Sequence, residues 1–501
     1  MVANTGIIIG IFCYFFGMIV IGYLMRNKNK SAEDFLVGGR SFGLFYNTGT
    51  LTACWIGGVL VIGVPGTLYS FGVWDSEARW GLLVTYGGMS CLLVAGLFYM
   101  RKLWELKLLS LGDYYYQRFG RTAGIISTII MSGTFVLWIS VQIVSFAKVG
   151  VAVVGLSLNT WVLISMIVIC TYTILGGLWA VCLTDIIQVA VVVLSMLILL
   201  PLSIGAVGGW ESFSAAVPTE KLEMLPKDYT APSAWLAWVA AWATIGLGSI
   251  ASPDLMQRAF SAKSGKVARN SAFCAFAIVC AILVIVMILT FAAMQMMEQN
   301  AVDRALVDAD PELLLPLVFQ HVMPLPVVIL FLGATMAAVM SAAATANIAL
   351  SGVIAKNLIN DMFMPSMSSR GLMQTTRVII LVIGILGAYL AIGLPSAFLL
   401  TSLGFDLVLS CLFVPLTLGL YWEKANACGA IAGLVAGAFT RIVGAGLLNG
   451  FTLPGIASSA DSWYYFTLGG PLAALVAMVI VSLATQSVCK PVVMKLDPSA
   501  N

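Results

Sequence analysis

Long apolar runs separated by short polar connections make up most of the 501-residue chain. Each run has about 20 residues or more, the length that an α-helix needs to cross a bilayer. The thirteen predicted spans lie near residues 5–25, 43–71, 79–100, 122–153, 158–178, 179–204, 234–252, 271–297, 325–358, 374–393, 396–420, 426–447 and 464–486. Because lipid offers exposed backbone groups no hydrogen-bond partner, the pattern predicts an all-α membrane protein, a bundle of about thirteen transmembrane helices.

The composition supports this prediction and excludes several functions. Hydrophobic residues make up 60% of the chain and charged residues 9%, whereas a soluble domain carries about 25% charged residues. The lipid bilayer is the expected surrounding, and a net charge of +3 is too small to indicate nucleic-acid binding. The sequence holds no P-loop, nucleophile elbow or His/Cys cluster, so we expect neither an enzyme nor a resident cofactor. It indicates no obligate partner chain.

Basic residues occur in alternate connections between the predicted spans. They are Arg26, Lys28, Lys30, Arg40, Arg101, Lys102, Lys107, Arg118, Arg121, Arg258, Lys263, Lys266, Arg269, Lys356, Arg370 and Arg377. The connections in between are neutral or acidic, as at 298–312. Since cytoplasmic loops carry the excess of Lys and Arg, the N-terminus is expected outside and the C-terminus in the cytoplasm. We expect a multi-pass protein of the cell membrane, the inner membrane in a bacterium.

Two of the predicted spans are interrupted by glycine and proline. They are the second, "LTACWIGGVLVIGVPG" (51–66), and the seventh, "WATIGLGSIASPDLMQR" (242–258). The two spans are five helices apart. Paired interruptions at corresponding places in two halves are typical of inverted-repeat transporters, whose binding site lies at the unwound backbone.

Several short motifs resemble one transporter family. They are "FLVGGRSFG" (35–43), "LGGLWAVCLTDIIQ" (175–188), "MQRAFSAKS" (256–264) and "GLYWEKANACGAIAGLVAG" (419–437). In this order they are similar to the entry to the first core helix, the Thr-Asp-x-x-Gln signature, the Gln-Arg turn and the late Trp-x-x-Ala-Asn signature of the sodium/solute symporter family. Within that family, "TACWIGG" (52–58) resembles choline transporters and "GVPGTLY" (63–69) resembles proline symporters.

The resemblance implies a leucine-transporter-type core of two inverted five-helix repeats. It also implies alternating access and the uptake of a small organic solute driven by an ion gradient. The implied division of the chain is an extra N-terminal helix and loop at 1–42, a first repeat at 43–204, an extracellular loop at 205–233, a second repeat at 234–420, and two C-terminal helices with a tail at 421–501.

The stretch "MAAVMSAAATANIALSG" (336–352) is a helix of small residues, as close packing of membrane helices requires. In the family, the helix at this place and the broken helix bind a sodium ion between them. Carried over by position, the backbone carbonyls fall on Ala53, Ile56 and Ala338, and the first hydroxyl ligand falls on Ser341. The second hydroxyl falls on Ala342, which has none, although Thr345 lies on the same helix face one turn deeper.

The missing hydroxyl leaves three explanations open: a weakened sodium site, a different coupling ion such as the proton, or a substitute ligand from elsewhere. A proton would need a carboxylate within the membrane. The candidates are Asp185, Asp254, Asp406 and Glu77. For Asp185 a hydrogen-bonding or gate role is expected first, and Asp406 is the more deeply buried choice. A transporter-like membrane sensor that lost coupling would also tolerate Ala342.

The solute is expected beside the unwound backbone. The predicted solute-binding residues are Trp55, Gly57, Gly58, Trp138, Gln142, Ser252 and Asp406. Trp55 lies in the break, and Trp138 aligns with an aromatic cavity residue of the choline-transporter branch, so the two would suit a quaternary ammonium group. That branch's third tryptophan falls on Ser252, and its acidic residue falls on an alanine. We therefore expect a small polar or zwitterionic solute, with a choline-like cation as the alternative.

Overall fold

The computed structural model describes residues 9, 16–17, 20, 24, 31–75, 81–299, 302–365, 367–444 and 463–494. Apart from a few isolated positions, the first predicted span lies outside the described residues, and so does Glu77. The described helices, numbered in chain order, are α1 Ala32–Val37, α2 Leu44–Trp55, α3 Val64–Phe71, α4 Leu83–Val94, α5 Met100–Glu105, α6 Leu111–Val154, α7 Leu158–Ala206, α8 Trp210–Ala216, α9 Pro232–Gly246, α10 Pro253–Ser261, α11 Gly265–Gln299, α12 Arg304–Ala309, α13 Leu314–Val322, α14 Leu325–Val353, α15 Asp361–Phe363, α16 Ser369–Gly393, α17 Ala397–Val408, α18 Val414–Tyr421, α19 Ala427–Ala438 and α20 Trp463–Ala484.

The membrane-spanning pattern of the described residues follows the sequence prediction closely. Nine helical segments are long and apolar enough to cross a membrane, and the bent pair formed by α2 and Val59–Phe71 makes ten. These ten lie where ten of the spans were predicted. Helix α4 lies in the third predicted span, and the shorter apolar helix Ala427–Ile442 lies in the twelfth. The all-α membrane class is confirmed, and the exact count of thirteen stays a prediction.

Helix α7 contains the boundary between the predicted fifth and sixth spans. Its course changes at Gly177, whose φ of 58° and ψ of −176° depart from helical geometry. Positive φ strains side chains but not glycine, which explains the residue at this position.

The first broken helix has its interruption where the sequence predicted it. Ile56, with φ −89° and ψ 70°, ends α2, and the chain resumes as a π-helical segment, Val59–Gly63, that leads into α3. The two halves are bent by 48°. A Cβ added to Gly57 would lie only 2.9 Å from Cβ of Ala342. Glycine at this position therefore allows α14 to approach the break closely.

The second interruption separates α9 from α10. A short 3-10 segment, Gly248–Ala251, follows α9, and Ser252 then adopts extended geometry with φ −93° and ψ 137° before Pro253 begins α10. Proline fits the first helical turn because its missing N–H would lack an intrahelical partner there in any case. The predicted pairing of two broken helices is thus present.

Helix α14 forms the centre of the bundle. Every residue from Ala334 to Val353 is buried, and the helix packs against α7, α6 and α2. Small side chains let the neighbouring backbones approach, which is how membrane helices associate without a hydrophobic driving force.

The loops lie on two faces of the helix bundle, and the two faces differ in charge. On the first, Arg40 Nη2 donates to the carbonyl of Lys107 at 3.0 Å, and the N–H of Lys263 donates to the carbonyl of Phe42 at 2.9 Å. We call this the basic face. Helix α6 begins there and runs across the bundle to Lys148, which pairs with Asp310. That end carries the acidic residues of 302–312 and is called the acidic face.

Candidate solute and ion site

A narrow cavity lies beside the first helix break. Its volume is about 30 Å³, and it is lined by Trp55, Val59, Leu60, Thr85, Gly88, Met89, Trp138, Ile245, Val279, Thr401 and Phe405. Both broken helices contribute, the first through Trp55 to Leu60 and the second through Ile245 of α9. The lining is mainly apolar, with polar atoms placed at a few points, as in most small-molecule sites.

Aromatic rings form one wall of this cavity. The rings of Trp138 and Phe405 pack with centroids 5.2 Å apart and planes at 59°, and Trp55 adds a third ring. The Trp55 indole lies so close to Gly88 that a Cβ there would be 2.9 Å from it. The structure thus brings the predicted residues Trp55 and Trp138 to one cavity. Phe405 was missed because its neighbour Asp406 drew attention as a charged residue within a span.

Gln142 lies at the polar end of the site, one helical turn after Trp138 on α6. Its Oε1 accepts a hydrogen bond from the N–H of Gly58 at 2.9 Å. A Cβ added to Gly57 would lie 2.9 Å from this oxygen as well as from Cβ of Ala342. The predicted residues Gly57, Gly58 and Gln142 are therefore neighbours at the break. Glycine is required at both positions because side chains of other elements occupy the adjacent space.

Two predicted solute-binding residues do not line the cavity among the described residues. Ser252 is buried at the second break, next to Asp254. The carboxylate of Asp406 is paired with Arg441 and accepts a hydrogen bond from Thr467 at 3.1 Å. The carboxylate of Asp406 therefore faces α20 and the segment that follows α19, which carry these two partners. The described lining of the cavity does not include Asp406, and its assignment to the solute site stays a prediction.

The expected sodium ligands lie on the two helices that meet at the break. Ala53 and Ile56 are buried at the end of α2, and Ala338 and Ser341 are buried on α14, which packs against α2. The hydroxyl of Ser341 donates to Oδ1 of Asp185. A hydroxyl that donates its hydrogen keeps its lone pairs, so this contact leaves Ser341 able to bind a cation.

A buried cluster of polar residues lies behind the expected ion site. Thr50 donates to Oδ2 of Asp185 at 2.5 Å, and Nη2 of Arg258 lies 3.6 Å from the same oxygen. Arg258 also donates to Thr345 Oγ1 at 2.6 Å and to Gln257 Oε1 at 2.6 Å. Asp185 and Arg258 are fully buried. The signal available in the sequence was the pair of opposite charges within the membrane, which must find partners.

A second group of paired charges lies on the acidic face of the bundle. Lys148 pairs with Asp310 at 2.8 Å and with Glu312 at 2.7 Å. Glu312 also accepts hydrogen bonds from the backbone N–H groups of Ala397 at 3.2 Å and Phe398 at 3.1 Å, which begin α17. Burial raises the pKa of Asp310 above its usual range, and the nearby Lys148 opposes that rise. The sequence contained no local signal for these contacts, which join three distant segments.

Comparisons with known proteins agree with this architecture. The human high affinity choline transporter 1 is 26% identical over 87% of this chain and 76% of its own length. The sodium/proline symporter of Salmonella typhimurium is 25% identical over 88% of each chain. The osmoregulated proline transporter of Bacillus subtilis is 24% identical over 97% of this chain and 96% of its own.

Solved structures share the fold. A Na+-coupled sialic acid symporter in a substrate-bound, outward-open state superposes with a TM-score of 0.78 at 19% identity, covering 95% of this chain and 98% of the other. A nucleobase-cation-symport-1 family transporter in a closed conformation gives 0.58 at 12% identity, covering 93% and 97%. These neighbours have the leucine-transporter-type fold, which confirms the predicted fold class. Because the family model also matches residues 35–437, most of the chain, this protein belongs to the sodium:solute symporter family.

Proposed function

We propose that the protein is an ion-coupled secondary transporter that takes up a compact organic solute by alternating access. The observation that carries the proposal is the cavity lined by both broken helices. Trp55 comes from the first broken helix and Ile245 from the second. Unwound backbone at such a place provides polar groups for a solute and an ion within the membrane. Family membership supports transport and not catalysis.

The proposed solute site consists of the aromatic cavity and the polar break next to it. Trp55 and Trp138 contribute ring faces, and Gly57, Gly58 and Gln142 contribute the polar end. The cavity is narrow in this conformation, with a volume of about 30 Å³, which favours a small solute.

The proposed coupling ion is sodium, bound weakly between α2 and α14. The ligands would be the carbonyls of Ala53, Ile56 and Ala338 and the hydroxyl of Ser341. A dehydrated cation needs replacement oxygens, and Ala342 supplies none from its side chain. This favours a weaker site than one with two adjacent hydroxyls. The proton stays the alternative coupling ion.

The proposed orientation places the basic face in the cytoplasm, following the distribution of Lys and Arg. The N-terminus is then outside, the C-terminus is inside, and the acidic face with Glu312 covers the outer entrance. We also propose that the two repeats comprise residues 43–204 and 234–420, each containing one of the broken helices.

Uptake by purified protein in liposomes tests the proposal. Radiolabelled glycine betaine, choline and L-proline would each be offered under an inward sodium gradient, an inward pH gradient, or neither. Accumulation that requires the sodium gradient and weakens in the Ser341→Ala variant is expected. Accumulation that follows only the pH gradient would replace sodium with the proton. Solute binding without accumulation under any gradient would contradict transport and favour a sensor.

A further inference from the structure

The amide of Gln142 has its orientation fixed by the helix break. The N–H of Gly58 can bond only to an oxygen, so Oε1 must be the atom that faces it, at 2.9 Å. The other amide atom, Nε2, then points away from Gly58 and can only donate. It is fully buried and has no hydrogen-bond partner among the described residues. A buried donor without a partner is costly, so a bound acceptor would stabilise this site.

A second donor lies one turn earlier on the same helix face. The indole N–H of Trp138 is buried and also without a hydrogen-bond partner in the described part of the chain. Trp138 lines the cavity, and residues at positions i and i+4 of a helix lie one above the other. The two side chains with unpaired donors therefore lie on the same side of α6, Trp138 at the cavity and Gln142 at the break.

The backbone adds positive potential at the same place. The outer half of the first broken helix begins with Val59, directly after the break. The beginning of a helix carries a partial positive charge. Together with the two side-chain donors, this favours an anionic oxygen group of the solute at the break.

The cavity beside the break has a different chemistry. Its described lining contains the rings of Trp55, Trp138 and Phe405 and the hydroxyls of Thr85 and Thr401, with neither a carboxylate nor a basic side chain. Aromatic faces attract an alkylated ammonium group without any ion pair. A solute with a net charge would find no counter-charge in this lining, whereas a zwitterion needs none.

We propose that the solute is a compact zwitterion with an N-alkylated ammonium group and a carboxylate one or two carbons apart. The ammonium lies against Trp55, Trp138 and Phe405, and the carboxylate accepts hydrogen bonds from Nε2 of Gln142 and Nε1 of Trp138. The inference rests on the proposed function only because it takes this cavity as the solute site. It makes Gln142 and Trp138 the residues that select zwitterions over cations.

Three probes with the same trimethylammonium head distinguish the possibilities: glycine betaine has a carboxylate, choline a hydroxyl, and tetramethylammonium no oxygen. Their affinities for the purified full-length protein would be measured from the rise in melting temperature with ligand concentration. We expect glycine betaine to bind tightest and tetramethylammonium weakest. Choline binding tighter than glycine betaine would overturn the proposal, and so would the absence of binding by any zwitterion, including L-proline.

Two variants test the assigned donors. Gln142→Glu keeps an acceptor for Gly58 but removes both donor hydrogens and adds a negative charge. We expect it to weaken glycine betaine binding by about ten- to a hundredfold and to reverse the preference in favour of choline. Trp138→Phe keeps a ring but loses the N–H, and should weaken glycine betaine binding about tenfold with little effect on tetramethylammonium.

Trp161→Phe is the matched control, because its indole N–H is equally buried and unpaired among the described residues but lies away from the cavity, against Gly150. Equal effects of Trp138→Phe and Trp161→Phe would contradict the assignment. Uptake is measured separately. Zwitterion binding without uptake would contradict the proposed transport and leave this inference standing. Uptake of choline but of no zwitterion would support the proposed transport and contradict this inference.

Discussion

The hydroxyl of Ser341 donates a hydrogen bond to Asp185, which joins α14 to the second half of α7. Because this hydroxyl donates its hydrogen, its lone pairs stay available to a cation. The adjacent Ala342 touches that helix at Gly57 but brings no oxygen. The proposed ion site therefore has one side-chain hydroxyl, that of Ser341, where the family pattern has two.

Restoring the second hydroxyl should strengthen the dependence on sodium. We expect Ala342→Ser to lower the sodium concentration for half-maximal uptake about fivefold, because one added ligand contributes roughly 1 kcal/mol. The control is Ala344→Ser, an equally buried alanine that packs towards Val181 of α7. Sodium titrations of uptake in liposomes measure both. Strong sodium dependence of the unmodified protein, unchanged in Ala342→Ser, would mean that another residue supplies the missing oxygen.

The buried pair of Asp185 and Arg258 should be important for stability. Removing one partner leaves an uncompensated charge, so we expect Asp185→Asn to cost about 3–5 kcal/mol and to lower the melting temperature clearly. The comparison is Glu223→Gln, which removes one partner of the exposed pair with Lys227 and should have an effect below about 1 kcal/mol. Equal melting temperatures for the two variants would show that Arg258 is satisfied by its hydroxyl and amide contacts alone.

Trp55 should act on binding and not on folding. Its ring lines the cavity and is only partly buried, so we expect Trp55→Ala to weaken glycine betaine binding about tenfold, through loss of the ring face. Trp235→Ala serves as the control, since Trp235 is exposed and lies near Tyr229, away from the cavity. Unchanged solute affinity in Trp55→Ala would identify Trp55 as a packing residue.

Asp406 should contribute to stability, through its pair with Arg441. We expect Asp406→Asn to lower the melting temperature by leaving Arg441 unpaired, at a cost of about 3–5 kcal/mol. The double variant Asp406→Asn with Arg441→Gln should recover part of the loss, because contacting residues are not additive. If Asp406→Asn instead abolished uptake driven by a pH gradient at an unchanged melting temperature, Asp406 would be a proton carrier.

The helices and their breaks were predictable because they depend on local composition. Runs of apolar residues mark the spans, the Gly57–Gly58 pair marks the interruption after α2, and Pro253 marks the start of α10 after the second interruption. The turn within α7 at Gly177 coincided with the predicted boundary because glycine alone accepts that geometry.

The contacts of the site were less predictable because they join distant segments. Position within a motif placed Trp138 near the solute, but no local pattern indicated that Phe405 would pack on its ring. The position of Asp406 within an apolar span suggested a role in solute or proton binding. The direction in which its side chain leaves α17 depends instead on how α19 and α20 pack. The partner of an intramembrane charge follows from tertiary structure.

Glu312 should hold the acidic face closed over the site. Its two carboxylate oxygens accept the N–H groups of Ala397 and Phe398 and pair with Lys148. Glu312→Gln keeps one acceptor but replaces the oxygen that faces Lys148 and Ala397 with a donor. Hydrogen bonds to a charged group contribute about 1.5–3 kcal/mol, so amide exchange at the start of α17 should become roughly ten- to a hundredfold faster.

Hydrogen exchange followed by mass spectrometry on the full-length protein measures this effect directly. Asp303→Asn is the control, since Asp303 caps α12 through Ala305 N at 3.0 Å and is exposed. Exchange at the start of α17 should be the same in this variant as in the unmodified protein. If Glu312→Gln also leaves it unchanged, the closure depends on the close approach of the Pro311 and Glu312 backbone to Gly66, and the charges of Lys148 and Glu312 only satisfy each other.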